Sequence, residues 1–116
     1  PSTKETENFF DEAKFKAMKK SALFINIARA SVVDEPALIK ALQEGMIAGA
    51  CMDVFSKEPL PADHPFWDMK NVIMTPHIAS MVPDFWNKLT FLLETNFIAF
   101  SRGEKLLNEV DKKKGY

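Results

Sequence analysis

Three short apolar segments most constrain how this chain can fold. They are ALFINIA at residues 22–28, IAGACMDVF at 47–55 and NVIMT at 71–75. Each has the length of a strand, and continuous apolar runs are typical of strands that are buried on both faces. Helical segments separate such strands in βαβ units, which form parallel sheets with right-handed crossovers. The sequence therefore predicts an α/β fold.

Residues that typically begin and end helices predict two helices in addition to these strands. Asp11 can cap a short helix over residues 12–20, EAKFKAMKK. Asp34 is a good N-cap for the next helix, in which Pro36 is tolerated in the first turn and Gly45 marks the end. The first two strands are thus joined by a helix, as a βαβ unit requires.

A long C-terminal helix is predicted from Pro83 to Arg102, with Gly103 closing it. Most of its apolar residues form one stripe along the helix, and other apolar residues lie outside that stripe. A helix that is apolar on more than one side needs more than one packing partner. The stripe contains Phe85, Leu89, Leu92, Leu93, Phe97 and Phe100.

Composition narrows the class of protein. The chain has 116 residues, enough for one modest globular domain, and its net charge of −1 argues against a nucleic-acid surface. It has no apolar run of the roughly 18 residues that a membrane span needs. Its one cysteine, Cys51, excludes an internal disulfide and suits a reducing compartment. Cysteine pairs and HExxH motifs are absent, so no metal site is expected.

Ionisable residues follow each predicted strand. Arg29 follows the first, Asp53 and Glu58 lie at and beyond the end of the second, and His77 follows the third. Singly, each has an ordinary interpretation, such as a surface arginine or a strand-end histidine with a backbone partner. Because ligands bind beyond the carboxyl ends of parallel strands, their convergence there favours a functional site.

The chemistry of this set is coherent. A histidine held by a carboxylate can act as a general acid or base. An arginine can hold the carboxylate of an α-keto acid in a bidentate grip, and a strand-end aspartate can accept a hydrogen bond from a carboxamide. No serine or cysteine nucleophile motif and no glycine-rich phosphate loop is present.

The run from INIARASVVDEPAL to VIMTPHIAS closely resembles the D-isomer-specific 2-hydroxyacid dehydrogenases, and the correspondence extends over the whole chain. The resemblance implies that residues 1–82 form the C-terminal half of a Rossmann-like, doubly wound parallel sheet. It also implies that residues 83–116 form a helix and tail that pack toward a substrate domain outside this sequence. The glycine-rich dinucleotide turn of the family would precede Pro1, which suggests a cut through a larger protein.

The resemblance also implies roles for individual residues. Arg29 would bind the substrate carboxylate and carbonyl, His77 would donate the proton, and Glu58 would partner His77. The residues implied to contact the dinucleotide are Pro1, Ile27, Ala28, Arg29, Asp53, His77, Ala79 and Ser80. Ala30 and Ser31 stand where glycines are common in the family, so a slightly altered turn is expected.

The ending NEVDKKKGY resembles the glyoxylate/hydroxypyruvate reductase A branch. This implies reduction of those two keto acids with NADPH favoured over NADH, in a cytoplasmic homodimer. The rival interpretation is a catalytically inactive, corepressor-like protein that senses nicotinamide. An isolated 116-residue polypeptide is expected to be inactive and to associate through its apolar helix.

Overall fold

The computed structural model describes residues 2–116, which form two compact units. One unit ends at Ile78 and the other spans Ala79–Tyr116. The assignment of residues 1–82 and 83–116 to two different domains of a larger protein stays a prediction. The elements in chain order are α1 (Glu12–Ala17), β1 (Leu23–Asn26), a first 3₁₀ turn (Ala30–Val32), α2 (Glu35–Gln43), β2 (Gly49–Met52), a second 3₁₀ turn (Pro65–Asp68), β3 (Val72–Met74) and α3 (Phe85–Ser101).

The three strands form one parallel sheet in the order β1-β2-β3, as predicted. Asn26 is in register with Met52, and Met52 is in register with Met74. The strands are shorter than the apolar runs that predicted them, because each run continues past its ladder. The register matters for function, since it brings the three carboxyl ends to one level.

Both helices of the first unit begin at the N-cap residues that the sequence predicts, and each cap is made by an aspartate side chain. The Asp11 carboxylate accepts a hydrogen bond from the Lys14 amide at 3.0 Å, and the Asp34 carboxylate accepts one from the Ala37 amide at 3.2 Å. Helix α1 ends three residues early, because Met18 has extended backbone angles. Helix α2 ends as expected, with Gly45 in the left-handed region at φ 65°.

The core lies on one side of the sheet only. Its largest fully buried side chains come from α1, α2, the segments that flank the strands and the second 3₁₀ turn. On the other side, Leu23, Ile25 and Ile73 are each more than 60% exposed. The prediction that the strands are buried on both faces is therefore wrong for β1, whose residues alternate between exposed and buried. The largest fully buried side chains of this core are Phe15, Leu38, Ile47, Val54 and Phe66.

Helix α3 begins at Phe85, two residues after the predicted start, and Gly103 follows its end with φ 68°. None of its residues is buried, and Phe91, Phe97 and Phe100 are all exposed. Packing of this helix on a further partner stays a prediction. Among the described residues, no helix combines the length and the apolar character needed to cross a membrane.

Gly49 is required by the close approach of β2 to the segment before β3. A Cβ atom at this position would lie 2.6 Å from the Asn71 carbonyl oxygen, which already accepts a hydrogen bond from the Ala50 amide at 2.9 Å. We expect Gly49→Ala to lower the free energy of unfolding by about 1–3 kcal/mol, measured by urea denaturation. Ala48→Ser, at an exposed neighbour, is the control. A Gly49→Ala variant as stable as the control would contradict this account of the packing.

Candidate active site

A buried asparagine organises the end of β1. The Asn26 side chain donates to the Arg29 carbonyl and accepts from the Ala28 amide, both at 3.0 Å. Its own backbone carbonyl accepts a hydrogen bond from the Asp53 amide at 3.0 Å. Asn26 is 4% exposed, so these bonds are largely shielded from water. The turn that carries Arg29 is thereby fixed to the sheet and joined to the end of β2.

Arg29 itself is exposed. Its backbone is extended, with φ −144° and ψ 144°, and its guanidinium donates to the Ala28 carbonyl at 2.7 Å. The first 3₁₀ turn begins at the next residue, Ala30, in a conformation that does not require glycine. The altered turn expected from the ARAS sequence is therefore compatible with an arginine presented to solvent.

Asp53 fixes the turn that carries His77. Its carboxylate oxygen Oδ1 accepts hydrogen bonds from the Thr75 hydroxyl at 2.5 Å and from the Ile78 amide at 2.9 Å. Only 2% of Asp53 is exposed. His77, between those two donors, has φ 56°, a left-handed conformation that costs a non-glycine residue about 1 kcal/mol or more. The bonds to Asp53 hold the turn in this shape.

Glu58 and His77 form a hydrogen-bonded pair. Glu58 Oε2 lies 2.8 Å from His77 Nδ1, and Glu58 Oε1 accepts from the Phe55 amide at 2.9 Å. The bond to His77 and then that to Phe55 lower the pKa of the Glu58 carboxyl below its ordinary value. At neutral pH the carboxylate is consequently an acceptor only, so the proton of this bond lies on Nδ1. Nε2 is left as the nitrogen that can exchange a proton with a substrate.

An apolar cavity of about 620 Å³ adjoins this pair. Its walls are mostly carbon, with the Glu58 carboxylate and the His77 ring as ionisable groups. Apolar walls limit competing hydrogen bonds from water and strengthen the electrostatic interaction between charged groups. The other lining residues are Phe55, Pro59, Leu60, Trp67, Met74, Thr75 and Pro76.

The structure brings together the side chains of Glu58 and His77, as the sequence predicts. Arg29 and Asp53 are connected through Asn26, whose contribution the sequence analysis missed. The available signal was a polar residue at the end of an apolar strand.

Thr75, which donates to Asp53, was missed for a similar reason, since it closes an apolar run and can be taken for an ordinary strand residue. Within residues 2–116, no group of three or more His, Cys, Asp or Glu side chains could hold a metal ion.

The dinucleotide contacts implied by the resemblance are not tested by these distances. Pro1 lies outside the described residues. Ala79 and Ser80 belong to the second unit, and Ile27 and Ala28 are exposed beyond β1. Their roles stay predictions, as do the individual roles of Arg29, Asp53, Glu58 and His77.

The Glu58–His77 hydrogen bond predicts a measurable titration. In a protein with ¹³C-labelled glutamate, the Glu58 carboxyl should titrate below its ordinary pKa of 4.5, and His77→Gln should move that pKa upward. Because the folded-state pKa is lowered, the stabilisation from this bond is complete above pH 4.5 and is lost as the pH falls through the lower value. An unchanged Glu58 titration in the His77→Gln variant would contradict the pairing.

Comparison with known proteins gives a consistent result. Residues 1–79 match the family model described as the NAD-binding domain of D-isomer-specific 2-hydroxyacid dehydrogenases. A glyoxylate reductase from Thermofilum pendens is 48% identical over 104 residues, which are 90% of this chain and 31% of that protein. A glyoxylate/hydroxypyruvate reductase B from an Enterobacter species is 55% identical over 80 residues, or 69% of this chain and 25% of that protein.

Solved structures agree with these sequence matches. A dehydrogenase of this family from Xanthobacter autotrophicus, in complex with NADPH and MES, is 42% identical with a TM-score of 0.90, covering all of this chain and 47% of that one. An NADPH-dependent glyoxylate/hydroxypyruvate reductase from Sinorhizobium meliloti, with NADP and sulfate, is 34% identical with a TM-score of 0.89, covering all of this chain and 38% of that one.

The chain thus spans about a third of the length of the first of these curated relatives, and less than half of each of these solved chains. The matched region includes the three strands and the turn that carries His77. This chain belongs to the D-isomer-specific 2-hydroxyacid dehydrogenase family, and its residues 1–79 match the NAD-binding domain of that family.

Proposed function

We propose that the full-length protein is an NAD(P)H-dependent reductase of small 2-keto acids, converting glyoxylate to glycolate and hydroxypyruvate to glycerate. The observation that carries this proposal is the 2.8 Å hydrogen bond between His77 and Glu58, at the sheet edge where ligands of parallel sheets bind. The names of the Thermofilum and Enterobacter relatives support the choice of substrates.

A nicotinamide cofactor fits the residues at this edge. Ile27 directly follows β1 and is 64% exposed, so it offers an apolar surface for a flat ring. Asp53 directly follows β2, and the family resemblance implies that it contacts the nicotinamide. Ile27, Ala28, Arg29 and Asp53 would hold this end of the cofactor, which supplies the hydride when bound. NADPH is favoured, because the two solved relatives contain NADPH or NADP.

Arg29 would bind the substrate. Its guanidinium is exposed on a turn that Asn26 holds to the sheet, and its planar donors match a carboxylate in a bidentate pair. Holding the acid group in this way fixes the direction of the neighbouring carbonyl, which is the orientation that hydride transfer requires.

His77 would supply the proton. Reduction of the carbonyl needs one hydride at carbon and one proton at oxygen, and the Nε2–H group of protonated His77 delivers the latter. His77 is then left neutral with its remaining proton on Nδ1, where Glu58 accepts the hydrogen bond. Glu58 therefore orients the ring before the transfer.

Homodimer formation and a cytoplasmic location, which the family resemblance implies, stay predictions, and so does the assignment to the reductase A branch. The non-catalytic alternative predicts dinucleotide binding without turnover. Retention of the His77–Glu58 pair argues against it, because a protein that only binds nicotinamide has no need of a proton donor.

We expect His77→Ala in the full-length enzyme to lower kcat for glyoxylate by roughly 100-fold to 10,000-fold, because the proton donor is lost. The affinity for NADPH, measured by the quenching of protein fluorescence, should change little. Steady-state loss of NADPH absorbance gives kcat.

Lys57→Ala is a suitable control for this variant, since Lys57 is an exposed neighbour of Glu58. It should retain the activity of the unmodified enzyme. A His77→Ala enzyme with turnover similar to that of the control would overturn the assignment of the proton donor.

A further inference from the structure

Glu58 stands on a segment that contains no helix or strand of its own. The segment joins β2 to the second 3₁₀ turn and covers residues 53–64. A side chain on such a segment is positioned only if other contacts hold the segment in place. The positioning of Glu58, and with it that of His77, depends on what anchors residues 53–64.

Glu35 anchors this segment on both sides of Glu58. Ser56, two residues before Glu58, donates its hydroxyl to Glu35 Oε2 at 3.1 Å. His64, six residues after Glu58, approaches Glu35 Oε1 with its Nε2 at 3.3 Å. Each carboxylate oxygen of Glu35 is therefore used by a different end of the segment.

The two hydrogen bonds of the His64 ring indicate its tautomer, that is, which ring nitrogen carries the proton. Nδ1 accepts a hydrogen bond from the Phe66 amide at 3.3 Å, so this nitrogen carries no proton. The proton of the neutral ring is then on Nε2, which donates to Glu35. The His64 ring also packs on the Phe66 ring, with 4.7 Å between centroids. Phe66 is 1% exposed, which ties this contact to the core.

The anchor is built on a capped helix, and its contact with His64 is more shielded than its contact with Ser56. Glu35 lies in the first turn of α2, which Asp34 caps and whose Leu38 is fully buried. Only 19% of the Glu35 side chain and 13% of the His64 side chain are exposed. By contrast, 37% of the Glu58 side chain is exposed, and an exposed pair gains little geometric order from its own ion pairing.

We propose that Glu35 is a positioning residue of the active site, which acts through Ser56 and His64 to hold Glu58 against His77. This inference rests on the proposed function where it concerns turnover, whereas the placement of Glu58 is independent of it. Neither Glu35 nor His64 is among the residues that the family resemblance assigns to the site.

Replacement of Glu35 by alanine removes the side-chain bonds to Ser56 and His64 at once. Displacement of a catalytic group by about 1 Å costs on the order of 100-fold in rate, so we expect Glu35→Ala to lower kcat by roughly 10-fold to 100-fold. The KM for NADPH should stay within about twofold, because the side-chain bonds of Glu35 go to Ser56 and His64, neither of which is assigned to the cofactor. Glu35→Gln, which keeps one carbonyl acceptor, should recover part of the loss.

The direct readout is the titration of Glu58 in the full-length protein, followed by ¹³C NMR with labelled glutamate and assigned with Glu58→Gln. Loss of the anchor should move the Glu58 pKa toward its ordinary value of 4.5, because the bond from His77 weakens. Glu12→Gln is the matched control, since Glu12 forms ion pairs with Lys16 and Lys40 away from this segment. It should leave the Glu58 titration and kcat unchanged.

Each outcome decides the proposal. A raised Glu58 pKa in Glu35→Ala, with the control unchanged, supports it, and this holds even if the unmodified protein reduces no 2-keto acid, a result that would overturn the proposed function alone. An unmoved Glu58 pKa in folded Glu35→Ala overturns the positioning role. If Glu35→Ala does not fold, Ser56→Ala and His64→Asn each remove one anchor, and an unmoved Glu58 pKa in both overturns it equally.

Discussion

The geometry of the site depends on the hydrogen bonds of one buried aspartate. Asp53 connects the ends of all three strands, because its amide donates to Asn26 at the end of β1 and its carboxylate accepts from Thr75 and Ile78 beyond β3. A buried carboxylate is costly unless it is hydrogen-bonded, and here the donors come from the turn that must be held. The parallel register sets the strand ends at one level, and Asp53 then fixes the turns that leave them.

A second layer of polar contacts orients the histidine that we propose as the proton donor. The turn held by Asp53 presents His77, and Glu58 selects which ring nitrogen carries the shared proton. Glu58 in turn depends on a segment anchored by Glu35. The sheet thus positions the turn that carries His77, and the turn and Glu58 together position the His77 ring. This explains how an exposed histidine keeps a defined orientation.

The sequence predicts the sheet and the helix starts because those features depend on local patterns. Asp11 and Asp34 cap helices through residues three positions away, and apolar runs mark the strands. Glu58 and His77 were paired correctly because the family resemblance carried that relation. The exposed face of β1 was not predictable, because an apolar run does not say which part of a protein covers it.

The roles of Asn26, Thr75 and His64 could not be read from the sequence for a different reason. Each makes a hydrogen bond whose partner is set by the turn geometry or lies more than twenty residues away, and polar residues at strand ends and in loops are common. His64 was interpreted as an ordinary loop residue because its partner, Glu35, lies on a helix 29 positions earlier. Such pairings become visible only when the fold places the two segments side by side.

If the His77–Glu58 pair serves proton donation to a 2-keto acid, the full-length protein reduces glyoxylate. The most direct measurement incubates the purified full-length protein with NADPH and glyoxylate, and compares the loss of NADPH with the glycolate formed. We expect equal amounts of the two, with NADPH stable when glyoxylate is omitted. Tight binding of NADPH without formation of glycolate from glyoxylate, or of glycerate from hydroxypyruvate, would contradict it and would identify a binding protein that has kept the dehydrogenase fold.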